Sequence, residues 1–413
     1  MTVVLFEDER WRDFAPLSTL RHVGLLRWGT RTLLDSVRRA VGAKDVTLWG
    51  RPEICEVTRT SEEVEYNASI EGDVLLLNAR ARPNLGLQAL VERRGRFVAT
   101  SGDVVVAARI GVEDIEPGVL GLKRILRLSK GSDVLELPRG SVFRGCWQMV
   151  ESNGLAIAEQ AVQFSDQLEL PEKTRVKGPA SNLRVHGSAE VEDHVTFDTR
   201  RGPVMVDEGA SIESFSRISG PCYVGRRTRV HSALLREGTS IFEVCRIGGE
   251  VENSIIMPNT NKTHLGYVGD SVVGEWVNLG AGSTFSNLKN TYGSVRVEVN
   301  GRRVDTGMTK LGPVIGDMAK VSINASVYSG KSVGVASQVS GLVDRNVPSF
   351  TYYDGGRAKM VELRLDSVIE TQTRMKERRG MTLSKAEESL IRLAFKATAI
   401  ERRKAHVKKG RIA

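Results

Sequence analysis

A spacing of six residues between large aliphatic side chains constrains the fold of this chain more than any other feature of its sequence. Neither the 3.6-residue period of a helix nor the alternation of an amphipathic strand produces this step. Shorter runs keep it, among them one that starts at Tyr267 and ends at Phe285. Two runs of five residues keep it without a break: Val206, Ile212, Ile218, Val224 and Val230, and Ile315, Val321, Val327, Val333 and Val339.

A parallel β-helix of triangular section explains this spacing, because each face is a short strand that sends one large aliphatic side chain inward. Three faces make a coil of about 18 residues, and each coil buries its edges against the next. Glycine and small polar residues, as in "VGDS", "LGAGS" and "VIGD", are suited to the corners. The alternative, a β-sandwich of short strands, would show a two-residue period instead. We therefore predict a β-helix of hexapeptide repeats at residues 166–345.

The remaining segments carry other patterns. Short apolar runs such as "TVVLF" and "DVLLLNAR" alternate with the helical pattern "TRTLLDSVRRAVG", which predicts an α/β domain with a mainly parallel sheet at residues 1–165. Asn300-Gly301 between alternating valines predicts a β-hairpin that interrupts the β-helix. Residues 346–413 are predicted to be helical, with a stop at Gly380 and a capping box formed by Ser384 and Glu387.

Composition narrows the class of protein. The 413 residues are enough for two or three domains. The absence of a long apolar run and of a secretion-signal pattern predicts a cytoplasmic protein with no membrane span. Four scattered cysteines indicate reduced thiols and no zinc site.

The net charge is +9, which favours phosphate-bearing partners such as nucleotides and sugar phosphates. The basic C-terminal segment "ERRKAHVKKGRIA" has no interleaved aromatic residues, so we interpret it as a solvated end rather than a nucleic-acid-binding arm.

The segment "HLGYVGDSVVGEWVNLGAGS" resembles the acetyltransferase half of the bifunctional GlmU-type enzymes that make UDP-N-acetylglucosamine. The segments "LREGTSIFEVCRIGG" and "KLGPVIGD" extend this resemblance. It implies a left-handed β-helix, a homotrimer, and acetyl-CoA as the acyl donor to an amino-sugar 1-phosphate. The residue roles that it implies are a catalytic base at His264, contacts to the sugar phosphate from Arg236, Tyr267, Asn278 and Lys310, and contacts to acetyl-CoA from Ala281 and Asn287.

The sequence departs from the family pattern at several positions. A second basic residue expected before the histidine is missing, where Asn253 stands, and Lys262 lies at a different offset. Ile323 occupies the position of a serine that contacts CoA, with Ser322 beside it.

The N-terminal segment, residues 1–165, resembles a divergent sugar nucleotidyltransferase domain. The family's glycine-rich phosphate loop is replaced by "FEDERWRDFAPLSTLRH", and Asn78 stands near the position of a metal-binding aspartate. Arg21 and Arg27 are candidate phosphate ligands, although both are equally interpretable as surface arginines. Mg²⁺ and a nucleoside triphosphate are implied only if this domain is active.

The resemblance favours the catalytic interpretation of His264 over a structural corner hydrogen bond, because Tyr267, Asn278 and Asn287 accompany it at the family's spacing. Neutral imidazole can accept the proton that an amine loses as it is acylated. Arg236 and Lys310 have the alternative of being solvated charges. Asn278 and Asn287 have the alternative of being stacked corner asparagines. Two other functions stay open: nucleotidyl transfer with the β-helix as a trimerisation module, and a non-enzymatic scaffold whose basic tail binds nucleic acid.

Overall fold

The protein is described by a computed structural model that covers residues 2–42, 46–62, 64–70, 72–83, 86–111, 115–161 and 166–410. The described residues form two compact units. The first unit consists of Met1–Arg27, Arg31–Gly145 and Ser384–Leu393, and the second of Trp28–Thr30, Cys146–Leu383 and Ala394–Ala413. The boundaries at residues 165 and 345 stay predictions.

A mixed six-stranded sheet forms the centre of the first unit. Thr2–Phe6 pairs in parallel with both of its neighbours, whereas Val104–Gly111 is antiparallel to both of its own. The predicted α/β class is therefore confirmed. The sheet contains antiparallel strand pairs in addition to the predicted parallel ones. The strands follow one another across the sheet in the order Val46–Trp49, Thr2–Phe6, Asp73–Asn78, Val104–Gly111, Phe97–Ser101 and Asp133–Glu136.

Short helices accompany this sheet. The predicted helix at Leu33–Val41 begins where the Thr32 hydroxyl accepts a hydrogen bond from the backbone N–H of Asp35, and it ends at Gly42, whose φ is +66°. Further α-helices of this unit are Cys55–Glu62, Leu87–Glu92 and Leu122–Leu128, and most of Lys385–Ala397 also belongs to it. The 3₁₀ helices are Glu9–Phe14, Val23–Leu25 and Pro52–Ile54, and Arg27–Trp28 pairs with Arg31–Thr32 in a short hairpin.

A parallel β-helix forms the second unit, so the predicted fold is confirmed. One face is an eight-stranded sheet: Leu183–Val185, Val204–Val206, Cys222–Val224, Thr239–Ile241, Ile255–Ile256, Val272–Val273, Val314–Ile315 and Ser332–Val333. The other two faces share a 17-stranded sheet, because Arg229–Leu235 and Arg246–Glu252 continue around a corner. The remaining strands of that sheet are Arg175–Lys177, Glu190–Val191, Thr196–Asp198, Ser211–Ile212, Arg217–Ser219, Asn261–Lys262, Tyr267–Gly269, Asn278–Leu279, Thr284–Phe285, Lys320–Val321, Ser326–Val327, Gln338–Ser340, Leu342–Val343, Thr351–Asp354 and Lys359–Glu362.

The six-residue repeat forms the core of the β-helix. All ten residues of the two long runs are buried, and each stacks on its counterpart in the next coil. Tyr267 is the exception among the shorter runs: it is half-buried, and Val268 takes the inward position. The register explains this shift, because Glu250 pairs with Tyr267 and thereby makes their coil one residue shorter than the predicted repeat. The left-handed winding stays a prediction.

The predicted hairpin leaves the β-helix between Thr284–Phe285 and Val314–Ile315. Arg296–Val299 pairs antiparallel with Arg302–Asp305, and Asn300 and Gly301 both have positive φ, as a tight two-residue turn requires. Two short helices, Cys146–Glu151 and Asn153–Glu159, lie at the start of the second unit.

The C-terminal helices are Leu365–Glu377, Lys385–Ala397 and Ala399–Lys404. The capping box is present, because Ser384 and Glu387 each donate a backbone N–H to the other's side chain. The basic tail is only partly a solvated end: Arg402 is buried, where its guanidinium binds the Glu362 carboxylate and lies over the Phe395 ring.

Within the described residues, helices long and apolar enough to cross a bilayer are absent. The same residues contain no cluster of three or more metal-ligating side chains. The four cysteines are thiols outside any disulfide, and burial raises the pKa of Cys146 and of Cys245 to about 12.

Candidate active site

His264 lies at a corner of the β-helix between the strands Asn261–Lys262 and Tyr267–Gly269. Its side chain is exposed, as is that of the neighbouring Leu265. An imidazole in this position is open to a substrate that approaches the flank of the β-helix.

Lys262 supports this corner from the inside. Its side chain occupies an inward-facing position of the stack, in register with Ile247, and is 2% exposed. The ammonium group donates to the backbone carbonyls of Gly248 at 2.6 Å, Gly266 at 3.0 Å and His264 at 3.1 Å. Burial lowers the pKa of Lys262 to about 8. Because all three ammonium N–H groups have an acceptor, the lysine fixes the backbone that carries the histidine.

Tyr267 is part of a hydrogen-bond network on the adjacent face. Its hydroxyl donates to Glu252 Oε2 at 2.9 Å and accepts from Asn287 Nδ2 at 2.9 Å. Asn287 Nδ2 also donates to Asp270 Oδ2 at 2.6 Å, and Asn253 donates to the other oxygen of that carboxylate. Burial raises the pKa of both Tyr267 and Asp270. Each polar group in this network orients the next.

Two glutamates bring the predicted basic residues to the same flank. Lys310 Nζ lies 3.6 Å from Glu252 Oε1, and Arg236 Nε donates to Glu250. The strand register places Glu250 beside Tyr267 in the next coil. The fold thus brings Arg236, Tyr267, Asn287 and Lys310 together through carboxylates.

Asn278 and Ala281 lie beyond this network. Asn278 Oδ1 accepts from Asn261 Nδ2 at 2.9 Å, the stacked-asparagine arrangement that was the structural alternative. The half-buried Ala281 accepts the backbone N–H of Asn324 through its carbonyl. Asn278 lies on the strand Asn278–Leu279, one coil beyond Asn261. Ala281 lies at the corner between that strand and Thr284–Phe285.

In the first unit, Asn78, which stands near the expected position of a metal-binding aspartate, takes part in internal pairing. The Asn78 amide donates to Asp8 Oδ2 and to the Val105 carbonyl, and the Arg80 guanidinium binds the same Asp8 carboxylate. A cavity of about 70 Å³ lies beside these groups.

Arg21 and Arg27 are half-buried on the segment that follows the first strand. The lining of the 70 Å³ cavity, as far as the described residues define it, includes neither of them. The Arg21 carbonyl accepts a hydrogen bond from Arg51, which ties this segment to the sheet.

Sequence reasoning missed Glu250, Glu252 and Asp270. A usable signal was present for the glutamates, because "EVE" alternates two carboxylates around the inward-facing Val251. Asp270 could not be assigned in this way, since its partners are distant in sequence.

Comparison with known proteins adds evidence on family. Residues 3–167 match the family model described as a sugar nucleotidyl transferase. A bifunctional sugar-1-phosphate nucleotidylyltransferase/acetyltransferase from Sulfurisphaera tokodaii is 37% identical over 162 residues, which cover 38% of this chain and 40% of that protein. This chain is similar to bifunctional nucleotidyltransferase/acetyltransferase proteins. The resemblance inferred from the sequence is confirmed to that extent.

Two further matches cover a smaller part of this chain or share fewer identical residues with it. The bifunctional protein GlmU of Methanocaldococcus jannaschii is 38% identical over 124 residues, 29% of this chain and 30% of the relative. The aligned regions thus span less than half of either relative. The solved UDP-N-acetylglucosamine acyltransferase of Francisella novicida shares 15% identity over 54% of this chain and 78% of that one, and its TM-score of 0.29 is too low to support an argument.

Proposed function

We propose that this protein is an acetyl-CoA-dependent N-acetyltransferase acting on an amino sugar that carries a phosphate at C1, fused to a sugar-1-phosphate nucleotidyltransferase-like domain. Its place would be in nucleotide-sugar biosynthesis. The observation that carries the proposal is an exposed imidazole on a corner fixed by Lys262, beside a network that holds Tyr267, Glu252 and Lys310.

In the proposed reaction, the amino nitrogen attacks the thioester carbon of acetyl-CoA and forms an amide. His264 accepts the proton that the nitrogen sheds, the carbon–sulfur bond breaks, and the sulfur leaves as CoA thiol after taking up a proton. A positioned base of this kind contributes about 10² to 10⁴ in rate. Arg236 and Lys310 would bind the sugar phosphate, since fixed cations match its oxygens.

Acetyl-CoA would lie beside Ala281 and Asn287. Both amide N–H groups of Asn287 already donate, one to Tyr267 and one to Asp270. We therefore assign to Asn287 the orientation of Tyr267. The donor for the developing oxyanion would be the backbone N–H of Ala281, because the N–H groups of Gly280, Gly282 and Ser283 already donate to the carbonyls of Val321, Leu265 and Gly280.

The test is thiol release from acetyl-CoA in the presence of glucosamine 1-phosphate. Replacement of His264 by alanine is expected to lower kcat at least a hundredfold without loss of the fold, because the histidine is exposed. His186 is half-buried on another coil of the β-helix, and His186→Ala is the control for the loss of a β-helix histidine. Full activity in His264→Ala would refute the assignment of the base.

A homotrimer is part of the proposal. Phe215, Leu265 and Ile323 are 75%, 72% and 68% exposed, and each stands at a corner between the same two faces of the β-helix. An apolar edge of this kind favours association with another protein surface. Sedimentation equilibrium is expected to give three times the 45.3 kDa chain mass, and Phe215→Asp with Leu265→Asp to reduce it.

Nucleotidyl transfer is the second candidate activity, favoured by the family match of residues 3–167. Mg²⁺ and a nucleoside triphosphate would be needed for it. Of the three carboxylates that line the small cavity, Asp8 is paired with Arg80 and Asp103 with Arg10, and Glu9 by itself does not make a metal site. Pyrophosphate release from UTP or dTTP with a sugar 1-phosphate measures this activity separately.

A scaffold that binds nucleic acid through its tail is the non-enzymatic alternative. Truncation at residue 401 would remove the buried Arg402, so exchange of the exposed Lys404, Lys408 and Lys409 for glutamine is the cleaner test. Salt-sensitive DNA or RNA binding that these exchanges abolish would support the scaffold.

A further inference from the structure

An arginine-rich cleft lies on the flank of the β-helix next to the candidate active site. Its volume is about 440 Å³, within the range of small-molecule sites. Three carboxylates and four arginines line it, and the arginines are Arg200, Arg201, Arg217 and Arg236. Arg236 and Glu252 belong both to this cleft and to the network around Tyr267, so the two are continuous.

The strand register gives the distance between the cleft and the catalytic corner. Arg217 pairs with Leu234, Leu234 with Glu250, and Glu250 with Tyr267. Three strand spacings therefore separate Arg217 from Tyr267, roughly 14 Å along the axis of the β-helix. Arg236, whose backbone N–H donates to the Val251 carbonyl, lies between them.

The cleft arginines are held in place by carboxylates. Asp198 accepts from Arg200 Nε at 2.8 Å and from Arg217 at 2.9 Å, and Arg201 donates to Glu237 at 3.2 Å. The hydrogen bonds from Arg200 hold the pKa of Asp198 well below its usual range. A guanidinium has five N–H donors, so each of these arginines keeps donors for a ligand. Fixed forks of this kind match phosphate oxygens.

We propose that this cleft binds a second phosphate of the acceptor, so that the acetylated substrate is an amino sugar linked through a diphosphate, as in a nucleoside diphosphate sugar. The inference rests on the proposed acetyltransferase function. Arg236 and Lys310 would bind the phosphate at C1. Arg217 and Arg200 add guanidinium groups to the cleft that lie farther from His264 along the β-helix. The reaction that supplies this substrate is then a nucleotidyl transfer to the amino-sugar 1-phosphate, which precedes acetylation.

The test compares kcat/KM for UDP-glucosamine and glucosamine 1-phosphate in the full-length protein. We expect the wild type to favour UDP-glucosamine at least tenfold. Arg217→Gln and Arg200→Gln are each expected to lower that ratio roughly tenfold to a hundredfold, because a charge-assisted contact to the second phosphate is lost. Arg226→Gln is the matched control, since Arg226 is more exposed than Arg217 and pairs with Asp207 and Glu208 outside the cleft lining.

Equal kcat/KM for the two acceptors in the wild type would overturn the inference and leave the acetyltransferase proposal standing. An unchanged ratio of the two kcat/KM values in both Arg217→Gln and Arg200→Gln would also overturn the inference. If neither acceptor is acetylated, the proposed function fails, and calorimetric titration with UDP-glucosamine decides the cleft alone. An affinity for UDP-glucosamine that is at least tenfold lower in Arg217→Gln than in the wild type would support the cleft as a phosphate site. Equal affinity in the wild type and the variant would refute it.

Discussion

At the scale of single residues, the least expected feature is a lysine in the core of the β-helix. Lys262 stands where every neighbouring coil places an aliphatic side chain, among them Ile247 and Leu279. Buried ammonium groups are stable only when paired or fully hydrogen-bonded. Three carbonyl acceptors meet that condition here, and two of them belong to the corner segment of His264.

Replacement of Lys262 by methionine is expected to lower both stability and catalysis. The substitution keeps the apolar volume but removes the ammonium donor from three carbonyls, of which that of Gly266 still accepts another backbone N–H, from Glu250. We expect a loss of about 1–3 kcal/mol in the free energy of unfolding. Because the corner would then be less fixed, kcat for acetyl transfer is expected to fall about tenfold. Thermal unfolding and initial rates measure the two effects.

The control for this change is Lys173→Met, because Lys173 is exposed on the same unit. It should alter neither quantity appreciably. A stable and fully active Lys262→Met would show that the three carbonyl contacts do not position the histidine.

At this scale the sequence predicted the identities of several clustered residues but not their partners. The family resemblance implied a shared site for Arg236, Tyr267, Asn287 and Lys310, and the structure brings them together through Glu250 and Glu252. Tyr267 was also assigned to the inward-facing repeat. That assignment was wrong, because a coil one residue shorter than the repeat puts Val268 inward instead.

At the scale of elements, local signals predicted structure well where the interactions are local. The Asn300-Gly301 turn, the Gly42 stop and the capping box of Ser384 and Glu387 each involve groups a few residues apart. The mixed order of the N-terminal sheet could not be read in the same way, because the pairing of Asp73–Asn78 with Val104–Gly111 joins distant segments.

The capping box makes a prediction for the helix Lys385–Ala397. Ser384→Ala removes the hydroxyl that accepts the backbone N–H of Glu387, at a cost of about 1 kcal/mol to that helix. Faster amide hydrogen exchange over residues 385–389 is the measurement. Ser367→Ala, an exposed position inside the helix Leu365–Glu377, should leave exchange unchanged or slower, because alanine favours helix. Equal exchange in Ser384→Ala and wild type would contradict the cap's role.

At the scale of the whole molecule, a buried ionisable cluster in the first unit predicts how the stability of that unit responds to acid. The first unit contains a fully buried cluster in which Arg51 binds the Glu7 carboxylate, and His22 accepts from the N–H of Gly24 and contacts the Trp49 carbonyl. Burial lowers the pKa of His22. Burial opposes the ionisation of Glu7, but His22 and Arg51 outweigh it and lower the Glu7 pKa.

Both shifts have the same sign for stability. A group whose pKa is lowered by folding contributes stability above its unfolded pKa, and that contribution is lost as pH falls. We expect the first unit to lose stability as pH drops below about 6.5 as His22 begins to bind protons in the unfolded chain, and again below about 4.3 for Glu7. Denaturant titrations followed by tryptophan fluorescence at pH 7.5, 6 and 5 measure this.

His22→Gln should flatten the pH dependence between 6.5 and 5, since glutamine does not titrate. His406→Gln, at an exposed position, is the control and should keep the wild-type slope. An identical slope in His22→Gln would mean that another group governs acid sensitivity.

The sequence by itself determined the β-helix, because large aliphatic side chains that recur every six residues mark the inward-facing positions of successive coils. Only the tertiary structure decided which outward side chains meet. Coils of unequal length and the inserted hairpin determine which outward side chains become neighbours. The contacts of Glu252 with Tyr267 and Lys310 therefore depend on the lengths of several segments together. Arg217 and Arg200 converge on Asp198 for the same reason, from different coils that no local pattern connects.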